Sequence, residues 1–166
     1  MKKLLVVVAA VAGYAAVAAT VEFLGIEVGG TLNVLDAKVR ERVGFGKPTT
    51  VNLVNANYSY LDCDSVAPKG GYDYFGVSVS TNNVVLSVTA SVDCADEKSA
   101  AVKKENILSE FKAKYADRLA PDGNFIVEVT AGKDGITGKP YADVVIYTAE
   151  FKATLDRNNN VRDTKK

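Results

Sequence analysis

The stretch from Phe75 to Cys94 constrains the fold more than any other. Phe75, Val77 and Val79 alternate with Gly76, Ser78 and Ser80. Further on, Val84, Leu86, Val88, Ala90 and Val92 alternate with Val85, Ser87, Thr89, Ser91 and Asp93. A period of two marks a strand with one face buried. Asn82-Asn83, between the two runs, tolerates positive φ and suits a two-residue hairpin turn. That turn pairs Val79 with Leu86, Val77 with Val88 and Phe75 with Ala90. Turn geometry and apolar pattern therefore demand the same register.

Other strands obey the same logic. Thr20 to Val28 reads as one strand with Leu24, Ile26 and Val28 on a face, turning at Gly29-Gly30 so that Val28 meets Leu32. Leu35 to Val43 fits both a strand and a helix, and the Gly-rich turns on either side favour a strand. Thr49 to Leu61, Phe125 to Thr130 and Tyr141 to Leu155 complete the set, with the chain turning polar and fraying after Asp156. One amphipathic helix is expected over about 97–120, with Leu108, Phe111, Tyr115 and Leu119 on one face. Asp96 is its expected N-cap, and Pro121-Asp122-Gly123 ends it. The expected fold class is therefore mainly β: an antiparallel β-sandwich or rolled sheet of about seven strands carrying one α-helix.

The N-terminus sets the location. Lys2 and Lys3 precede an uncharged apolar run that ends in small residues, Ala16, Ala18 and Ala19, which matches a secretory leader cleaved after Ala18 or Ala19. Leu4 to Val21 is also 18 uncharged residues, so a retained membrane or filament-core helix is the alternative reading. In either case the domain over residues 20–156 and the polar tail, 157–166, are extracytoplasmic. Losing residues 1–19 leaves about 147 of 166 residues, enough for one domain, and 18 basic against 20 acidic side chains. Such a balance offers no basic excess for nucleic acid. A membrane is a partner only if the leader is retained.

Cys63 and Cys94 are an even count in an exported chain and are expected to form a disulfide, worth roughly 3–4 kcal/mol in the chain-entropy account. Closing it would gather Asp62, Asp64, Asp93, Asp96 and Glu97, five carboxylates for which Ca²⁺ is the natural neutralising cation. No other cofactor is implied. Asp156, Asn158, Asn160 and Asp163 have the alternate spacing of a calcium loop start, but Val161 stands where such a loop needs glycine. Tyr58, Tyr60, Tyr72 and Tyr74 form a local aromatic group, with Tyr72 and Tyr74 placed on the polar face by the hairpin register. Exposed aromatics of this kind serve carbohydrate-binding surfaces. Asn57-Tyr58-Ser59 matches a glycosylation acceptor.

The chain has no histidine, which excludes Ser-His and Cys-His nucleophile pairs and His-ligated metals. Gly46-Lys47-Pro48 lacks the hydroxyl and the earlier glycine of a phosphate loop. Three functional readings remain. The leading one is a non-enzymatic structural protein of the cell surface, a filament or envelope subunit. It would assemble with copies of itself or with envelope proteins when the strand carrying Val21, Phe23, Leu24, Ile26 and Val28 completes a neighbour's sheet edge. The second is a secreted calcium-dependent or carbohydrate-binding module. The third is a hydrolase working with two carboxylates.

Overall fold

The expected hairpin is the centre of the sheet. The computed structural model describes residues 21–115 and 124–163, and in it β5 (Tyr74–Ser80) pairs with β6 (Val85–Asp93) through Phe75↔Ala90 and Val77↔Val88. The register slips by one near the turn, where Val79 meets Val85 instead of Leu86. The loop is three residues long, not two. Asn83 takes φ 66, its N–H donates to Ser80 O at 2.9 Å, and Ser80 N–H donates to Val84 O at 2.8 Å. A type I turn followed by a left-handed residue needs such a bulge.

Four more strands extend this hairpin on both sides. These are β3 (Thr49–Leu53), β4 (Tyr58–Asp64), β7 (Phe125–Lys133) and β8 (Pro140–Thr148). The six-stranded sheet runs β3-β4-β5-β6-β8-β7, and every neighbouring pair is antiparallel. One cross-strand row reads Cys63, Val77, Val88, Ile146, Val127, and the next reads Asp62, Ser78, Ser87, Tyr147, Ile126. Period two thus sorts the sheet into an apolar face and a polar one. Helix α2 (Glu97–Tyr115) crosses the apolar face and buries Ala100, Ile107, Phe111 and Tyr115 there. Its start is capped as expected: Asp96 Oδ1 accepts from Ser99 N at 2.7 Å, and Ser99 Oγ accepts from Asp96 N at 3.1 Å. The remainder of the expected helix, 116–120, lies outside the described residues, as does the leader, 1–19.

Four expected elements differ. Thr49 to Leu61 is not one strand: β3 and β4 fold back on each other around a turn at Val54–Ala56 and Asn57 (φ 49). Residues 21–28 form a hairpin rather than one strand: β1 (Val21–Phe23) and β2 (Ile26–Val28) pair Val21 with Val28 across Leu24 (φ 52) and Gly25 (φ 80). A turn with two left-handed residues normally announces itself by Asn-Gly, and Leu24 gives no such signal. The hairpin is part of the core. Val21, Ile26 and Val28 are buried, Phe23 packs against Tyr72 and Phe111, and Tyr115 Oη donates to Glu22 O. Gly29 N and Val85 O, and Val85 N and Gly30 O, tie it to β6, so Val28 does not face Leu32. The segment expected to serve as a free assembly strand is held inside its own domain.

Residues 37–43 are helical, not extended. Asp36 accepts from Lys38 N at 2.8 Å to start α1 (Ala37–Val43), and Gly44 ends it at φ 81. Local caps outweighed the alternation of Leu35 to Val43. At the other end, β8 stops at Thr148, whose Oγ1 accepts from Phe151 N at 3.4 Å and opens α3 (Ala149–Asp163). Phe151, Thr154 and Asn158 face inward at helical spacing. Asn158 anchors the helix: its Oδ1 accepts from Asn55 N and its carbonyl from Asn55 Nδ2, both at 3.2 Å. The expected frayed tail is therefore helical as far as Asp163. No helix among the described residues is long and apolar enough to cross a membrane.

Adjacent residues on opposite faces should respond very differently to truncation. Phe75→Ala, at a fully buried position, is expected to cost about 3–5 kcal/mol in urea unfolding. Tyr74→Ala, 41% exposed, is expected to cost less than about 1.5 kcal/mol. Equal costs at the two positions would contradict the facing of this strand.

Candidate functional site

Much of the polar face of the sheet is left uncovered among the described residues. Helix α3 covers only one end of it, where Phe151 meets Tyr60 edge-on with centroids 5.0 Å apart and approaches Tyr58 at 6.2 Å. Beyond α3 the face is an open groove made of two hollows. One, of about 200 Å³, lies against the helix and is lined by Tyr60, Asp62, Ser78, Ser87 and Tyr147. Its neighbour, of about 350 Å³, is lined by Tyr74, Ser91, Tyr141 and Asp143 and reaches the β7–β8 turn at Lys133–Gly135. Tyr74 and Thr89 belong to both hollows, so the groove is continuous.

Two strand glycines shape its floor. A β-carbon at Gly76 would fall 2.6 Å from Tyr74 Oη, and one at Gly132 would fall 3.2 Å from Tyr141 Oη. Each tyrosine therefore leans across a glycine and lies along the sheet instead of standing up from it. Aromatic cover of a strand glycine compensates for the missing side chain, and here it also turns ring surface towards the groove. Tyr74 is fixed further by donating from Oη to Asp64 Oδ1 at 2.6 Å. Ser78 Oγ donates to Asp62 Oδ1 at 2.8 Å.

The electrostatics are those of a half-buried acidic surface. Burial raises Asp62 above its ordinary range; the Ser78 hydrogen bond opposes that and nearby Asp64 adds to it. Burial likewise raises Asp143, against a hydrogen bond from Ser91. Tyr74 is raised by burial and then by its bond to Asp64. Tyr147 is pushed up to about 12, by burial first and Glu128 second. Lys152 of α3 lies 6.0 Å above the Tyr147 ring centroid, bonded to Glu128 at 3.2 Å and Asp156 at 2.6 Å.

The expected site residues divide. Cys63 and Cys94 are free thiols. Cys63 shares a row with Val88 of β6 across one intervening strand, while Cys94 lies six residues further along. That places them on the order of 20 Å apart by strand spacing, far beyond the ~7 Å a disulfide spans. The expected bridge is therefore not formed, and the five carboxylates are not gathered. Asp62 and Asp64 face the groove, Asp93 bonds Lys139 at 3.1 Å, Asp96 caps α2, and Glu97 bonds Lys133. Among the described residues no group of three or more acids or thiols is placed to hold a metal ion. Asn158 of the second acidic patch is buried in the α3 anchor.

Of the tyrosines, Tyr58, Tyr60 and Tyr74 lie on the polar face. Tyr72 does not: the Lys69–Tyr72 turn brings it under Phe23, buried, with Lys103 over its ring at 5.8 Å. Tyr141, Asp143 and Tyr147 were missed as site residues. Their spacing of two and four along one strand was the available signal. Searches of family models, curated proteins and solved structures find no match to the chain.

The raised carboxylates make stability depend on pH. Asp62 and Asp143 bind protons more tightly folded than unfolded, so each contributes most to stability below its unfolded value, 3.8, and loses that contribution as pH rises through the folded value. Asp143→Asn should accordingly raise the urea midpoint at about pH 7 and leave it unchanged near pH 3. A lower midpoint at neutral pH would contradict this.

Proposed function

We propose that the chain is an extracytoplasmic binding module that holds a saccharide along the polar face of its sheet. The observation that carries this reading is the floor of the groove, where Tyr74 and Tyr141 lie over Gly76 and Gly132. Rings laid along a surface offer their faces to the apolar face of a sugar ring, while Ser78, Ser87, Thr89, Ser91 and the carboxylates supply partners for its hydroxyls. Asp62 and Asp143 are three strands and four residues apart in register, on the order of 20 Å. Carboxylate glycosidases hold their pair about 5–9.5 Å apart, so these two do not form such a pair. A groove across several strands suits an oligomer better than a single sugar. The basic, apolar N-terminus supports export.

Self-assembly into a surface structure is the second reading, and its support now lies at the sheet edge, not at residues 21–28. Strand β7 is nine residues long and is an edge of the sheet. Bonds from Ala149 N to Asn124 O and from Asp134 N to Lys139 O flank its pairing with β8. By alternation, residues 125, 127, 129, 131 and 133 then direct their backbone groups outward, as a second copy's strand would need.

The two readings separate cleanly in experiment. Titration of an oligosaccharide panel should find a ligand whose affinity falls about tenfold or more in Tyr74→Ala and in Tyr141→Ala, with the melting temperature little changed. Failure of every saccharide to bind would end the first reading. Sedimentation at increasing concentration tests the second, which a strict monomer would end.

A further inference from the structure

The end of the groove nearest the β7–β8 turn differs in chemistry from the end under α3. Asp143 stands in the cross-strand row Tyr74, Ser91, Asp143 and two residues beyond Tyr141 on the same face. It lines the 350 Å³ hollow together with the two tyrosines that lie along the sheet. The lysines at this end are committed elsewhere, Lys133 to Glu97 and Lys139 to Asp93. The nearby Asp134 carboxylate is taken up by Ile136 N, Thr137 N and Thr137 Oγ1. Among the described residues Asp143 has no ion pair, and Ser91 is its bonding partner.

A half-buried carboxylate without a counter-charge is a standing electrostatic cost. The aromatic side chains that line the same hollow bring no positive charge to offset it. A hydroxyl would offer that carboxylate one hydrogen bond, whereas an ammonium group meets both its charge and its lone pairs, in a hollow that Tyr74 and Tyr141 also line. We propose that the Tyr74–Asp143–Tyr141 hollow is a subsite for a protonated amine, and that the ligand is a saccharide carrying free amino groups. This rests on the reading of the groove as a saccharide site.

Calorimetry on the full domain distinguishes the two claims. The probes are chitosan oligomers with free amines, their N-acetylated counterparts, glucose oligomers of equal length, and choline chloride. The free-amine oligomer should bind about tenfold or more tightly than the acetylated and neutral ones, and added salt should weaken it. Asp143→Asn should abolish that preference by bringing free-amine binding down to the level of the neutral oligomers, and Tyr141→Phe should retain it. Equal affinity for all three oligomers, or a preference that survives Asp143→Asn, overturns the amine subsite and leaves the saccharide groove standing. Choline binding that is lost in Asp143→Asn, with no oligomer bound, supports the cation subsite and overturns the saccharide reading. Binding of none of the probes overturns both.

Discussion

The pairing of Val77 with Val88 and of Phe75 with Ala90 is the constraint on which the rest of the structure depends. All four residues are buried, and they lie in the two central strands of the sheet. Slipping one of these strands by a residue would send its side chains to the opposite face. With the register set, Cys63, Ile146 and Val144 join the same surface from the flanking strands, and α2 and the β1–β2 hairpin have a face to cover. Phe75 stacks against Phe45 at 5.5 Å and approaches Phe23 at 6.5 Å, which draws in the loops on that side.

The same register decides what stands on the other face, and there the chain makes a different choice. Burying a row of Ser, Thr, Tyr and Asp under a second layer would require a partner for every polar atom. Helix α3 solves this at one end only, with Phe151 over the tyrosines and Asn158 bonded to Asn55. Elsewhere the polar row stays open. Gly76 and Gly132 lower the surface where Tyr74 and Tyr141 lie down, so the open part is concave and aromatic. The groove is thus a product of strand alternation, two glycines and one incomplete helical cover.

The parts of this that are local and periodic were legible in the sequence. The β5–β6 hairpin and the α2 cap could be read from alternation, Asn82-Asn83 and Asp96. Helices α1 and α3 could not. In both, alternate polar residues imitate a strand, and the decisive signals are single caps, Asp36 and Thr148, whose effect depends on the residues after them. The β1–β2 turn was hidden because Leu24 occupies a left-handed position that usually goes to Asn or Gly. The site was half legible. Tyr58, Tyr60 and Tyr74 were seen as neighbours along the chain, but Asp143 and Tyr141 come from β8, about 70 residues later. Only the strand order β5-β6-β8 brings them beside Tyr74.

The central claim is that two tyrosine rings lie along the polar face and form the floor of a binding groove. Solution NMR of the α-protons of Gly76 and Gly132 tests it most directly, because a ring lying over a glycine shields the protons beneath it. The account predicts that both glycines resonate well upfield of their ordinary position and return towards it in Tyr74→Ala and Tyr141→Ala respectively. Ordinary glycine shifts in the folded protein, unmoved by those substitutions, would contradict it.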